Sequence, residues 1–162
     1  MNARLLTHSD AAALGGLRLR GLLEHPLDFG ADHDEEAAWS VTEWARRMMG
    51  TLWFGVERGG ALIACASLRI PERVKLRHNG WINAMYVAAE AQGSGAGDAI
   101  MDAIEAEARA RGVTLLKLYA RENNSRACAF YRRRGFEAYG VEPDATVVGG
   151  VGYGALEMAK RL

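Results

Sequence analysis

Gln92-Gly93-Ser94-Gly95-Ala96-Gly97 and Asn124-Ser125-Arg126-Ala127-Cys128-Ala129-Phe130-Tyr131-Arg132-Arg133-Arg134-Gly135-Phe136 are the two stretches on which the reading of this chain turns. The first lies between a strand-like run over residues 80–87 and a helical pattern over residues 95–111 that Gly112 stops. Glycines let the backbone turn tightly and let a bulky anion approach the amides. Successive N–H groups at a helix N-terminus, reinforced by the helix dipole, favour a phosphate or pyrophosphate. Glycine alone is equally a flexible strand-to-helix turn with no ligand. Spacing removes two phosphate motifs. A P-loop needs Lys and Ser/Thr after its last glycine, and Asp98 follows Gly97 here. A dinucleotide fingerprint needs GxGxxG opening a larger repeated sheet, and these glycines run GxGxG in one unit.

In the second stretch Asn124, Ala127 and Tyr131 fall at i, i+3 and i+7, which puts them on one face at the start of a helix. A small side chain between an amide and a phenol makes a groove wall with two polar handles. Taken alone, that face is equally core packing with an asparagine cap. Together the two stretches resemble the signatures of the GNAT superfamily of N-acetyltransferases. The first of those signatures is (Arg/Gln)-x-x-Gly-x-(Gly/Ala), matched by Gln92, Gly95 and Gly97. The second is Asn-x-x-Ala-x-x-Phe-Tyr-x-x-x-Gly-Phe, matched by Asn124, Ala127, Phe130, Tyr131, Gly135 and Phe136.

That resemblance implies an acetyl-CoA-dependent enzyme whose sheet splits between the strand ending at Val87 and the strand beginning at Val113. Backbone groups of Met85, Tyr86 and Val87 would bind the pantetheine arm, and amides of Gln92, Gly93, Ser94, Gly95, Ala96, Gly97 and Asp98 the pyrophosphate. Asn124, with Ala127 beside it, would meet the pantetheine, and Tyr131 would protonate the leaving thiolate. The acceptor would be a small-molecule or peptide amine, bordered by Glu24, Asp28, Phe29 and Asn83. Family members often carry a glutamate on the strand before the phosphate loop. Alternation puts Asn79, Trp81 and Asn83 on one face of that strand here, with no carboxylate. The proton acceptor is therefore either water held by the asparagines or a first-loop carboxylate, Glu24 or Asp28. The alternative function is a non-catalytic acyl-CoA sensor of the same fold; a nucleotide-binding module fails on the spacings above.

Outward from the motifs, periodicity predicts the order β-α-α-β-β-β-α-β-α-β-β, a mixed α/β fold in one domain over residues 1–162. A strand over residues 4–7 precedes a helix capped by Ser9 or Asp10, with Leu14, Leu17, Leu22 and Leu23 as its apolar side. A second helical stretch over residues 34–49 breaks at the capping-box pattern Ser40-Val41-Thr42-Glu43. Strands over residues 51–58 and 61–70 are joined by Gly59-Gly60. After the second motif come a strand over residues 136–141, a glycine-rich loop, and a last strand over residues 153–160. That last strand is expected to be exposed and able to pair with a second copy.

Composition bounds the partners. Hydrophobic residues are 49% and charged residues 25% of 162, ordinary globular usage. Twenty basic side chains balance twenty acidic ones, so no overall field draws the chain to nucleic acid or an anionic membrane. Only Lys75, Lys117 and Lys160 are lysines, the mark of a GC-rich, bacterial coding bias. Cys65 and Cys128 are far apart, and no histidine or cysteine spacing suits a metal. Buried thiols and the lack of a leader or long apolar run point to the cytoplasm. Between Glu24 and Glu43 there are seven acidic residues and no Lys or Arg, which either attract a cationic amine or form a solvated face. Arg121, Arg126, Arg132, Arg133 and Arg134 cluster near the proposed cofactor groove, where one or two would meet the CoA 3′-phosphate.

Overall fold

A computed structural model describes residues 1–162. Seven strands form one mixed sheet: β1 (Ala3–Leu5), β2 (Leu52–Arg58), β3 (Ala61–Arg69), β4 (Asn79–Val87), β5 (Leu115–Arg121), β6 (Glu137–Val148) and β7 (Val151–Arg161). They lie in the order β1-β2-β3-β4-β5-β7-β6. Every neighbouring pair is antiparallel except β4 with β5. Helices α1 (Ala11–Glu24), α2 (His33–Ala37) and α3 (Val41–Met48) precede β2, while α4 (Ala96–Ala110) and α5 (Ser125–Arg133) flank β5 in sequence.

Strand β3 is the spine. Residues 63–68 are all buried, as expected for a strand covered on both faces. Ala64, Ala66 and Leu68 pack with Ile100, Met101, Ile104 and Ala108 of α4. Cys65, on the other face, joins Leu14 and Leu17 of α1 and Trp44 and Met48 of α3. Burial pushes the Cys65 thiol up to about 12, so it stays protonated and inert. The break at Ser40 is present: its hydroxyl accepts the Glu43 N–H at 3.1 Å and starts α3.

The parallel pairing of β4 and β5 covers only Asn79–Leu115, Gly80–Leu116 and Trp81–Lys117, after which the strands diverge. Gly80 sits at the apex of that split. A Cβ there would lie 2.9 Å from both Leu116 Cδ2 and Leu68 Cδ1. Gly80→Ala is therefore expected to destabilise the fold by about 1–3 kcal/mol, an overpacking cost. Calorimetry should show a Tm lowered by roughly 2–4 °C per kcal/mol at this chain length.

Three sequence-based expectations need correction. Residues 142–152 are not an irregular loop, because β6 runs on to Val148 and turns through Gly149-Gly150 straight into β7. The ladder absorbs Pro143 in an irregularity between Glu142 and Thr146, with Asp144 at φ +48°. Strand β7 is not exposed at an edge: it lies between β5 and β6, and the edge strand is β6. Leu23 points to solvent at 63% exposure, whereas Leu14, Leu17 and Leu22 are buried. Along β4 the register is regular from Trp81 to Asn83, and a bulge follows, where Ala84 takes φ +56° and the register against β3 slips between Cys65 and Ser67.

Candidate active site

The divergence of β4 from β5 opens a cleft of about 920 Å³. One wall is Asn83, Ala84, Met85, Tyr86 and Val87 of β4, and the opposite wall is Asn124, Ala127, Phe130 and Tyr131 at the start of α5. Gln92, Gly93, Gly95, Ala96, Gly97 and Asp98 line its far end. Of the residues expected from sequence to meet a cofactor, only Ser94 does not line the cleft. Its hydroxyl donates to the Ala91 carbonyl at 2.6 Å and tightens the turn.

Local geometry explains the glycines. Gly95 caps α4 in the left-handed region at φ +87°, where an L side chain is strained. Gly97 has ordinary helical geometry but no room: a Cβ would lie 3.3 Å from Phe130 Cζ and 3.4 Å from Met85 Cε. No side chain caps α4, so the first-turn amides of Ala96, Gly97 and Asp98 keep their hydrogens free. Those amides, at the positive end of a helix dipole, suit an anion. Gln92 ties the loop down, donating to the Val87 carbonyl at 3.3 Å and accepting from Arg126 Nη1 at 2.5 Å.

Asn124 acts as N-cap of α5, its Oδ1 accepting the Ala127 N–H at 2.9 Å. The cap leaves its amide Nδ2, a donor, unused on the cleft wall. Tyr131 is 7% exposed, between Phe130 and Phe136, both in edge-to-face contact with it. Its hydroxyl has no protein partner, and burial pushes its pKa above the usual phenol range. It is a phenol that stays protonated and has its proton to offer.

The acceptor-side residues separate. Asp28 and Phe29 line the cleft, as does Asn83. Asp28 is held by Arg121 Nε at 2.6 Å and faces His25 Nδ1 at 3.7 Å. Glu24 does not line the cleft; its oxygens accept from Tyr86 Oη at 2.6 Å and Arg20 Nε at 2.7 Å. Those bonds, the tyrosine's foremost, hold its carboxyl below the usual range. Asn79 is 6% exposed and lies outside the cleft, its amide donating to the Leu76 carbonyl at 2.9 Å. Only Asn83 of the three strand residues reaches it.

Four members of the acidic run over residues 24–43 are paired with arginines outside it, two near in sequence and two distant. Glu24 meets Arg20, Asp28 meets Arg121, Glu36 meets Arg18 and Glu43 meets Arg46 and Arg47. Asp32 is spent capping α2. Among the clustered arginines, Arg126 and Arg133 line the cleft without a carboxylate partner, Arg126 held by Gln92 and Arg133 over the Phe130 ring, whereas Arg134 is bound to Asp98, Asp102 and Glu105. Sequence reasoning missed His25, Tyr119, Asn123 and Thr146 as lining residues. Strand alternation from Arg121 gives Tyr119, and Asn123 is next to the motif; Thr146 has no local signal because it returns on β6.

Residues 19–136, which carry both motifs and both walls of the split, match the family described as acetyltransferase (GNAT) family. A mycothiol acetyltransferase of Beutenbergia cavernae is 33% identical over 119 residues, 68% of this chain and 38% of that protein. The chain spans about two fifths of the length of the curated relatives it matches. A ribosomal-protein-alanine N-acetyltransferase from Brucella melitensis is similar in structure, with a TM-score of 0.79 and 26% identity over 100% of both chains. A phosphinothricin acetyltransferase from Sinorhizobium meliloti, in complex with AcCoA, superposes with a TM-score of 0.82 at 19% identity, covering 99% of this chain and 88% of that one. With a family match that runs through the phosphate loop, the splayed strands and the asparagine–tyrosine helix, this chain belongs to the GNAT acetyltransferase family.

Proposed function

We propose that the protein transfers the acetyl group of acetyl-CoA to a primary amine by direct attack within a ternary complex. The observation that carries this reading is the cleft itself, in which a free helix N-terminus and an unpartnered buried phenol face one open strand edge. The free edge of β4 over Met85–Val87 offers backbone groups to the amide-rich pantetheine arm, and Asn124 Nδ2 adds a donor. The amides at the start of α4 take the pyrophosphate, and Arg126 or Arg133 the remaining phosphate. The acyl-CoA complex of the similar Sinorhizobium protein supports the choice of cosubstrate.

In the reaction, the amine nitrogen attacks the thioester carbonyl and the C–N bond forms. A backbone N–H of β4 near Met85 or Tyr86, beside the bulge at Ala84, would stabilise the developing oxyanion. Collapse then breaks the C–S bond, and the Tyr131 hydroxyl hydrogen-bonds and protonates the leaving sulfur. The nitrogen loses two protons in all; one restores the Tyr131 hydroxyl, so an ammonium and a thioester give an amide, a thiol and one proton released. That proton leaves through water at Asn83, since Glu24 lies outside the cleft and its bonds to Tyr86 and Arg20 make it a weaker base. Accordingly kcat/KM is expected to rise with pH in proportion to the neutral fraction of the acceptor, up to the acceptor's own pKa. A break that vanishes when Asp28 or His25 is replaced would instead identify that side chain as the base. Thiol release from acetyl-CoA over a panel of amines tests the function as a whole. Amine-dependent release is expected, and tight acetyl-CoA binding without transfer to any amine would favour a sensor.

A further inference from the structure

A second cavity, of about 250 Å³, adjoins the cleft and shares Asn83 and Ala84 with it, so only the β4 bulge separates the two. Its size is just under the roughly 300–1,000 Å³ of typical small-molecule sites. Trp39, Trp44, Trp53 and Met48 form apolar walls, and Arg18, Glu36, Arg47 and Arg69 supply the charge. We infer that this cavity holds the acceptor, and that the acceptor is a free amino acid with an apolar or aromatic side chain rather than a polyamine or a protein. This rests on the amine-acetylating reading of the cleft.

The charged groups carry the argument. Arg18 and Glu36 are 5% and 7% exposed and touch through a single contact of 3.3 Å between Arg18 Nη2 and Glu36 Oε1. Arg18 Nη1 and Glu36 Oε2 are buried with no partner at all. Buried ionic atoms left in that state are costly, and native proteins rarely leave them so. A zwitterion completes both once the two side chains turn these covered atoms into the cavity that they line: its carboxylate then accepts from Arg18 Nη1 and its ammonium donates to Glu36 Oε2. The remaining charge is cationic. That cation is Arg69, which makes no ion pair; Arg47, 3.7 Å over the Trp39 ring, is already paired with Glu43 at 2.6 Å. A polyamine would set extra positive charge against the Arg69 guanidinium, whereas a carboxylate is drawn to it. Acetylation removes the ammonium, so the product loses its contact with Glu36 and leaves more readily.

Three of the four tryptophans line this cavity, so intrinsic fluorescence reports its occupancy directly. Titrations with L-leucine and L-phenylalanine, each against its decarboxylated amine (isoamylamine, phenethylamine) and L-phenylalaninamide, run with and without acetyl-CoA, test the inference. The amino acids are expected to bind about 10–100-fold tighter than the partners lacking a carboxylate, the size of a charge-assisted hydrogen-bond pair. Arg18→Met with Glu36→Gln, which neutralises both members together, should bring that ratio near unity while acetyl-CoA affinity stays as in wild type. Arg69→Ala, at an exposed position, should lower the ratio partway and covers the case in which the double variant does not fold. Amines or the amide binding as tightly as the amino acids, or a ratio unchanged in the variants, overturns the inference. Amino-acid binding without acetyl transfer would instead remove the acetylation reading and leave this pocket standing.

Discussion

Tyr131→Phe is expected to bind acetyl-CoA as wild type does and to turn over about 10²–10⁴-fold more slowly, the range for loss of one general acid. The ring is fixed by Phe130 and Phe136 in edge-to-face contacts that phenylalanine keeps. The hydroxyl makes no hydrogen bond within the protein, so its removal leaves no buried partner unsatisfied. Stability should therefore change little, and the whole effect should fall on kcat. Single-turnover rates, with binding measured separately by calorimetry, check this. A variant as fast as wild type in the chemical step would remove Tyr131 from the reaction.

The second large effect is expected at the phosphate loop. Gly97→Val should weaken acetyl-CoA binding roughly 10–100-fold, which is about 1.4–2.7 kcal/mol. Gly97 is preferable to Gly95 as a probe, because Gly95 sits at φ +87° and any side chain there also strains the fold. At Gly97 the new methyls press on Phe130 and Met85, both half-buried cleft residues. The cheapest relief is for those side chains to move into the cleft, where the pantetheine arm is proposed to run. Calorimetric Kd values and a thermal melt on the same sample separate the two costs. Unchanged affinity in a folded variant would contradict the phosphate-loop role.

What could be read from sequence was what short-range physics determines. The Gly59-Gly60 hairpin, the Ser40 cap and the helix opened by Gly95 each follow from turn or cap chemistry within four residues. Asn124, Ala127 and Tyr131 share the cleft wall because helical spacing alone puts them on one face. The misreadings all came from longer range or from rare backbone. Ala84 in the left-handed region is a conformation that alanine does not advertise, so the bulge that follows Asn83 had no signal in the sequence. Pro143 and Gly149 read as loop residues, yet pairing along β7 holds that segment as a strand with a bulge and a tight turn. Two members of the acidic run, Glu36 and Asp28, have their partners Arg18 and Arg121 far off in sequence, so that part of its charge is cancelled only in the fold. The tryptophan-walled cavity joins α1–α3 to the ends of β2, β3 and β4, a convergence no local pattern encodes.

The claim on which the rest depends is that backbone groups of β4 and of the α4 N-terminus hold acetyl-CoA. Amide hydrogen exchange, followed residue by residue with and without acetyl-CoA, reads those groups directly. The account predicts slowed exchange concentrated at Met85–Val87 and at the amides from Gly93 to Asp98, with the far end of the β6–β7 hairpin unaffected. Acetyl-CoA that binds without protecting either segment, or that protects a surface away from the β4–β5 split, would contradict it.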